Sequence, residues 1–184
     1  MPETGPELSF RPVTEETRAD FEAVFSAPGG PKYCWCMAWR ATRAELREAK
    51  GPQRREQILG RIARGMPVGL VAYLEDEPIG WISVAPKSTF RGLGGPEPQP
   101  DENIWSLTCM FVSRKHRGQG HAHAFIAGAC DHARRSGASV LEAYPVMPDS
   151  ASYRFMGFVP AFEKAGFTHV GPAGSRRHVM RLPL

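Results

Sequence analysis

No stretch of this chain approaches the ~18 consecutive apolar residues of a membrane span, so no membrane partner is expected. Cysteine is scarce, at four in 184 residues, namely Cys34, Cys36, Cys109 and Cys130. These form no framework of spaced pairs, which argues against a disulfide-stapled scaffold and for free thiols in a reducing cytoplasm. The opening Met1-Pro2-Glu3-Thr4-Gly5-Pro6 lacks the basic start and apolar core of a secretory signal. A dense basic and aromatic face is also missing. The net charge is only +4, and the basic residues are scattered apart from short clusters at Arg114–Arg117 and Arg176-Arg177. Nucleic acid is therefore not expected as a partner, whereas a small anionic ligand suits the balance. Cys34-x-Cys36 has no second close pair and no Asp/His cluster to complete a metal site, so no metal is expected.

What is present describes one domain, residues 1–184, at roughly 150 residues per domain. Glycine and proline, 19 and 17 of them, predict many sharp turns. Leu8 to Val13 reads as a strand. A helix follows from a capped start at Thr14-Glu15-Glu16, with Phe21, Val24 and Phe25 at helical spacing. Thr42 and Glu45 form a capping box for a short helix ending at Gly51, and Pro52 opens another with the stripe Ile58, Leu59, Ile62 and Ala63. Val68–Leu74 and Ile79–Val84 make a hairpin around Glu75-Asp76-Glu77-Pro78. Residues 86–101 read as a mobile loop. Ile104–Val112 is the longest strand, followed by an amphipathic helix from about Gly120 to Arg135. Strand 139–144, a short helix near 160–165 and strands 167–171 and 178–182 complete a mixed α/β (α+β) domain around one sheet.

The segment that carries chemistry lies where the long strand meets its helix, from Cys109 through Arg114-Lys115-His116-Arg117-Gly118-Gln119-Gly120-His121-Ala122. Glycines at a helix N-terminus let backbone N–H groups crowd around an anion, and the helix dipole and nearby cations favour negative charge there. A phosphate or pyrophosphate is the natural guest. The Gly-Lys-Ser/Thr of a P-loop is absent, and His123 stands where a dinucleotide fingerprint needs a small residue.

The stretch resembles the acetyl-CoA signature of the GNAT N-acetyltransferase superfamily, Gln/Arg-x-x-Gly-x-Gly/Ala, which Arg117, Gly120 and Ala122 fill. A second resemblance is Phe162-Glu163-Lys164-Ala165-Gly166-Phe167, similar to the family's Tyr-Glu-Lys-x-Gly-Phe. The resemblance implies a central, mostly antiparallel mixed sheet flanked by helices, with splayed strands at the acetyl-CoA site. It implies acetyl-CoA as cosubstrate, direct attack of an acceptor amine on the thioester, and a cytoplasmic enzyme, with homodimerisation left open. It places the pantetheine and acetyl end at Met110, Phe111 and Val112 and the pyrophosphate at Arg117, Gly118, Gln119, Gly120, His121 and Ala122.

The chain departs from the pattern at Phe162, where the family's usual general acid is tyrosine. Tyr144 and Tyr153 are the nearby phenols, and Tyr144 is preferred because it ends the strand expected to flank the acyl site. Ser106 falls near the place of a glutamate base in some family members, with Glu102 and Glu142 as carboxylate alternatives. In this fold the first helical region borders the acceptor, so Tyr33, Trp35 and Trp39 are candidates for its pocket. His116, His121 and His123 read as helix-start and surface residues. The missing tyrosine keeps a second class open, a GNAT-like module that binds acyl-CoA without turnover.

Overall fold

A computed structural model describes residues 7–48 and 50–184; the signal-peptide reading on Met1–Pro6 lies outside the described residues. Strand β1 (Leu8–Pro12) is followed by helices α1 (Arg18–Ser26), α2 (Arg43–Glu48) and α3 (Gly51–Ala63). The hairpin β2 (Leu70–Leu74) and β3 (Glu77–Pro86) leads to β4 (Ile104–Val112), α4 (Ala122–Arg135) and β5 (Val140–Ala143). Helix α5 (Val159–Lys164) and strands β6 (Thr168–Ala173) and β7 (Arg177–Pro183) close the chain. The strands form one sheet in the order β1-β2-β3-β4-β5-β7-β6. Only the β4–β5 pair is parallel among the described residues. This is the mixed, mostly antiparallel sheet expected from the sequence.

Periodicity explains most of the elements. Helix α4 turns Phe125, Ile126, Ala129 and Ala133 onto one face of the sheet, where they meet Leu107, Leu141 and Ala143. On the other face α1 contributes Phe21, Val24 and Phe25 and α3 contributes Ile58, Leu59 and Ile62, packed with Val71, Tyr73 and Trp81. The expected capping box is present, with Thr42 N–H donating to Glu45 Oε2 at 2.7 Å and Glu45 N–H to Thr42 Oγ1 at 3.2 Å. Three expectations change. Helix α1 starts at Arg18, because Thr17 Oγ1 accepts from Thr14 N–H and donates to Pro12 O, fixing residues 14–17 as a turn. Gly51 opens α3 instead of ending α2. Segment 86–101 is pinned, since Phe90 and Leu93 are buried, Arg177 Nη1 donates to Leu93 O at 2.9 Å and Arg91 N–H donates to Trp39 O at 2.7 Å.

One irregularity positions the site. Moving from Ser83 to Val84 on β3 shifts the β4 partner from Cys109 to Leu107, so Thr108 is an extra, bulged residue. The bulge reverses which side chains face which layer. Before it, Trp105 and Leu107 pack with α4; after it, Met110 and Val112 do, while Cys109 and Phe111 turn to the α1 side. Pairing with β5 stops at the same point, at Leu107↔Ala143. Beyond the bulge, β4 keeps β3 on one edge and has a free edge on the other.

Candidate active site

Two cavities flank the free end of β4. The first, of ≈ 270 Å³, runs from Met110 and Val112 past Arg117, Gly118, Gly120, His121 and Ala122 to Phe155, Gly157 and Phe158. It occupies the gap between the splayed strands and opens at the N-terminus of α4. Gly118 and Gly120 have φ of +74° and +77°, a left-handed region that glycine enters without strain, and a Cβ on either would project into open space. Among the described residues, the amides from Gly118 to Ala122 donate to no other backbone group. His121 Nε2 is buried without a partner on the same wall. Unpaired N–H groups, an open glycine cradle and a helix N-terminus are what a pyrophosphate requires, so these residues fit one. Arg117 supports the loop itself: its Nε donates to Val112 O at 2.9 Å and its guanidinium lies 5.3 Å from the Phe111 ring centre.

The second cavity, of ≈ 300 Å³, lies on the α1 side of β4 and is lined by Tyr33, Cys34, Cys36, Ala38, Trp39, Cys109 and Phe111 among others. Met110, Arg117 and Phe155 line both cavities, so the two meet at the end of β4. Tyr33 and Trp39 are therefore wall residues. Trp35 is not. It is buried in the α1 core, its ring stacked on Phe25 at 5.0 Å and 11°, and it corrects the expectation of an acceptor contact. Sequence spacing singles out Cys34 and Cys36 but not their meeting with Cys109, because the bulge that turns Cys109 to this side has no sequence marker.

The catalytic candidates come together, but away from both cavities. Tyr144 is fully buried, and its hydroxyl donates to Glu142 Oε1 at 2.6 Å and accepts from Ser106 Oγ at 2.8 Å. Glu142 is clamped by Lys87 Nζ at 2.6 Å and Arg181 Nε at 2.6 Å. Arg181 also reaches Glu102 Oε1 at 3.6 Å. This network lies beneath segment 86–101, and none of its members lines either cavity. At about 3.3 Å per strand residue, Ser106 is ~13 Å from Met110 along β4, and Glu102 lies beyond the start of that strand. Burial, and then the neighbouring carboxylate, push the Tyr144 phenol well above its ordinary range. Tyr144, Ser106, Glu102 and Glu142 thus meet in one cluster, which lies apart from both cavities and not at the end of β4. Phe162 is also buried, against Gly157 and beside Met110, and presents no polar atom to the gap. Two other phenols stand at the cavities: Tyr33 lines the second, and the Tyr153 ring lies 6.2 Å from Trp39 and 6.3 Å from Phe155, both wall residues.

A splayed β4/β5 pair, a glycine cradle at the N-terminus of the following helix and a second cavity meeting it at the strand end define the class of the GNAT-type acyltransferase folds. The sequence profile of the acetyltransferase (GNAT) family matches residues 18–158, and the chain belongs to that family. No match was found among curated protein sequences. Among solved structures, the fold is similar to aminoglycoside acetyltransferase AAC(6')-Ib in complex with coenzyme A, at TM-score 0.60 and 17% identity over 96% of this chain and 95% of that one. It is similar to the PaiA N-acetyltransferase of Thermoplasma acidophilum in complex with coenzyme A, at 0.56 and 14% over 97% and 99%. It also resembles a ribosomal-protein-alanine N-acetyltransferase of Brucella melitensis, at 0.53 and 21% over 96% and 99%. At these identities the likeness is one of fold. No helix among the described residues is long and apolar enough to cross a membrane.

Proposed function

We propose that this protein transfers the acetyl group of acetyl-CoA to a primary amine by direct attack on the thioester, in the cytoplasm. The observation that carries the reading is the junction of the two cavities at Met110, Arg117 and Phe155, which brings a groove fit for CoA into line with a separate chamber. Gly118 to Ala122 would hold the pyrophosphate through backbone N–H groups. The free edge of β4 at Met110, Phe111 and Val112 would hydrogen-bond the pantetheine and the acetyl carbonyl, where negative charge develops.

The chamber suggests the acceptor. Its lining includes no Asp or Glu, so a polycationic amine would find no counter-charge. Tyr33, Trp39, Phe111 and Phe155 offer apolar surface, and Trp39 Nε1 is buried without a partner among the described residues. An amine with an apolar body and a carbonyl or carboxylate oxygen fits this combination, an apolar α-amino acid or peptide N-terminus being the simplest case. Thiolate is a far better leaving group than amine, so loss of the phenol at Phe162 does not forbid turnover.

The test has two stages. Coenzyme A at 100 times its Kd should stabilise the protein by about 2.7 kcal/mol, read as a rise in Tm. Gly120→Val, with a branched Cβ at φ +77°, should abolish the rise. Acetyl-CoA with a panel of apolar amino acids and peptides should then release CoA thiol. A Tm rise with no thiol release against any amine would favour the second reading, an acyl-CoA-binding module, which the phenylalanine at 162 supports. A folded Gly120→Val protein that keeps the rise would overturn the cofactor assignment.

A further inference from the structure

Three of the four cysteines line the second cavity, yet amine attack on a thioester uses none of them. Their setting is specific. Cys36 follows Trp35 in a loop where both residues adopt left-handed backbone, at φ +45° and +56°, although neither is glycine. The loop is held there from behind. Trp35 is stacked on Phe25, and the buried Arg40 donates from Nη1 to Cys36 O at 2.8 Å and from Nη2 to Val68 O. This turns the Cys36 thiol toward β4, where the Thr108 bulge has turned Cys109 to the same side.

Around the Cys36 sulfur lie the Cys109 thiol, the Arg40 guanidinium, the Trp81 indole and the Ser83 hydroxyl. Trp81 is fully buried, and its Nε1 has no hydrogen-bond partner among the described residues. Cys34 is a further neighbour, with Arg54 beside it. The neighbouring Cys109 thiol, reinforced by Arg40, lowers the Cys36 thiol below its ordinary value, while the same contact and burial raise Cys109 well above its own. The pair therefore favours negative charge on the Cys36 sulfur and the proton on Cys109. A low-pKa thiolate beside a second thiol is the arrangement of a peroxide-sensitive pair.

We propose that Cys36 and Cys109 form a hydroperoxide-responsive dithiol site, with Cys36 as the attacking thiolate and Cys109 as the resolving thiol. The Cys36 thiolate attacks the terminal peroxide oxygen, the O–O bond breaks, and the leaving alkoxide or hydroxide takes up a proton. Cys36 is then a sulfenic acid. The Cys109 thiol gives up its proton as its sulfur attacks Cys36, the S–O bond breaks, and the hydroxide leaves as water. The sum is two thiols and one hydroperoxide giving one disulfide, one alcohol or water, and one water. The disulfide would tie the 31–39 loop to β4 and close the second cavity, so its effect on acetyl transfer rests on the function proposed above, while the thiol chemistry does not.

The test uses the full chain. Reduced protein is treated with equimolar hydrogen peroxide and mapped by mass spectrometry after alkylation without reductant. The expected result is a Cys36–Cys109 crosslink, loss of two of the four free thiols, and reversal by dithiothreitol. In Cys109→Ser, dimedone should trap the sulfenic acid on Cys36; in Cys36→Ser, Cys109 should stay reduced; Cys130→Ser should behave as the parent. Four free thiols after treatment, a Cys34–Cys36 crosslink, or no dimedone adduct in Cys109→Ser would overturn the proposal. The Tm rise with coenzyme A is measured on the same samples. Its absence in reduced protein would sink the cofactor reading and leave the dithiol result standing, whereas its presence with unreactive cysteines would do the reverse.

Discussion

A phenol's role depends on what its oxygen touches, and Tyr144 and Tyr153 show the difference. Tyr144 Oη is used up between Ser106 and Glu142 in a sealed cluster, so Tyr144→Phe removes a buried hydrogen bond and leaves Ser106 Oγ short of an acceptor. The expected outcome is a loss of about 1–3 kcal/mol in urea unfolding with little change in kcat. Tyr153 stands over the cavity wall, so Tyr153→Phe should leave stability nearly unchanged. It should cut kcat by a factor in the range ~10²–10⁴ if that hydroxyl protonates the leaving thiolate. Equal kcat values for Tyr153→Phe and the parent would remove it as the donor. Trp35→Ala belongs with Tyr144: a cavity beside Phe21 and Phe25 should cost about 3–5 kcal/mol without a selective rise in the acceptor KM. From the sequence, strand alternation does place Glu142 and Tyr144 on one face of the expected 139–144 strand, two residues apart. What it cannot supply is that Lys87, Arg181 and Ser106 arrive there from three other elements and close the cluster.

At the scale of elements, the parts that the sequence announced are those written in local code. The β4 strand, the α4 stripe, the Thr42–Glu45 capping box and the glycines before α4 each depend on a few neighbouring residues. The two features that make the site do not. The bulge at Thr108 and the departure of β5 after Ala143 arise from pairing between distant strands, and they decide that Cys109 faces the second cavity while Ser106 does not. The same gap is bordered by Gly157, at φ +86°, where a Cβ would stand 2.7 Å from the Phe162 ring and 2.8 Å from Met110. Gly157→Ala should therefore cost stability twice, by about 1–2 kcal/mol for the left-handed backbone and ~1–3 kcal/mol for overpacking. Because Met110 and Gly157 line the first cavity, which is proposed to take CoA, the coenzyme A Tm rise should shrink in proportion more than Tm itself falls. A variant that unfolds earlier yet keeps the full ligand-induced rise would show that the gap does not take the pantetheine.

For the whole molecule, stability against acid should report on how the α2–α3 layer is fastened to the sheet. Glu45 accepts from Arg61 Nη1 at 2.9 Å and Nη2 at 3.0 Å, and from the Thr42 amide at 2.7 Å. Arg61 Nη2 also reaches Arg40 O at 3.4 Å, and Arg40 in turn bonds the Cys36 and Val68 carbonyls, so one carboxylate is linked to the loop that walls the second cavity. The Arg61 hydrogen bond, partly opposed by burial, holds the Glu45 carboxyl down to about 2 from an ordinary value of 4.5. A folded-state value below the unfolded one means that the unfolded chain binds the proton first, so the contribution is complete above pH 4.5 and is lost as pH falls toward 2. Glu45→Gln keeps the shape but cannot ionise. It should lower the urea midpoint at pH 7 and give a flatter midpoint-against-pH curve between pH 5 and 2 than the parent, the two curves converging at the acid end. Parallel curves across that window would mean that the Glu45–Arg61 pair does not couple folding to protons, and that acid lability enters through another carboxylate.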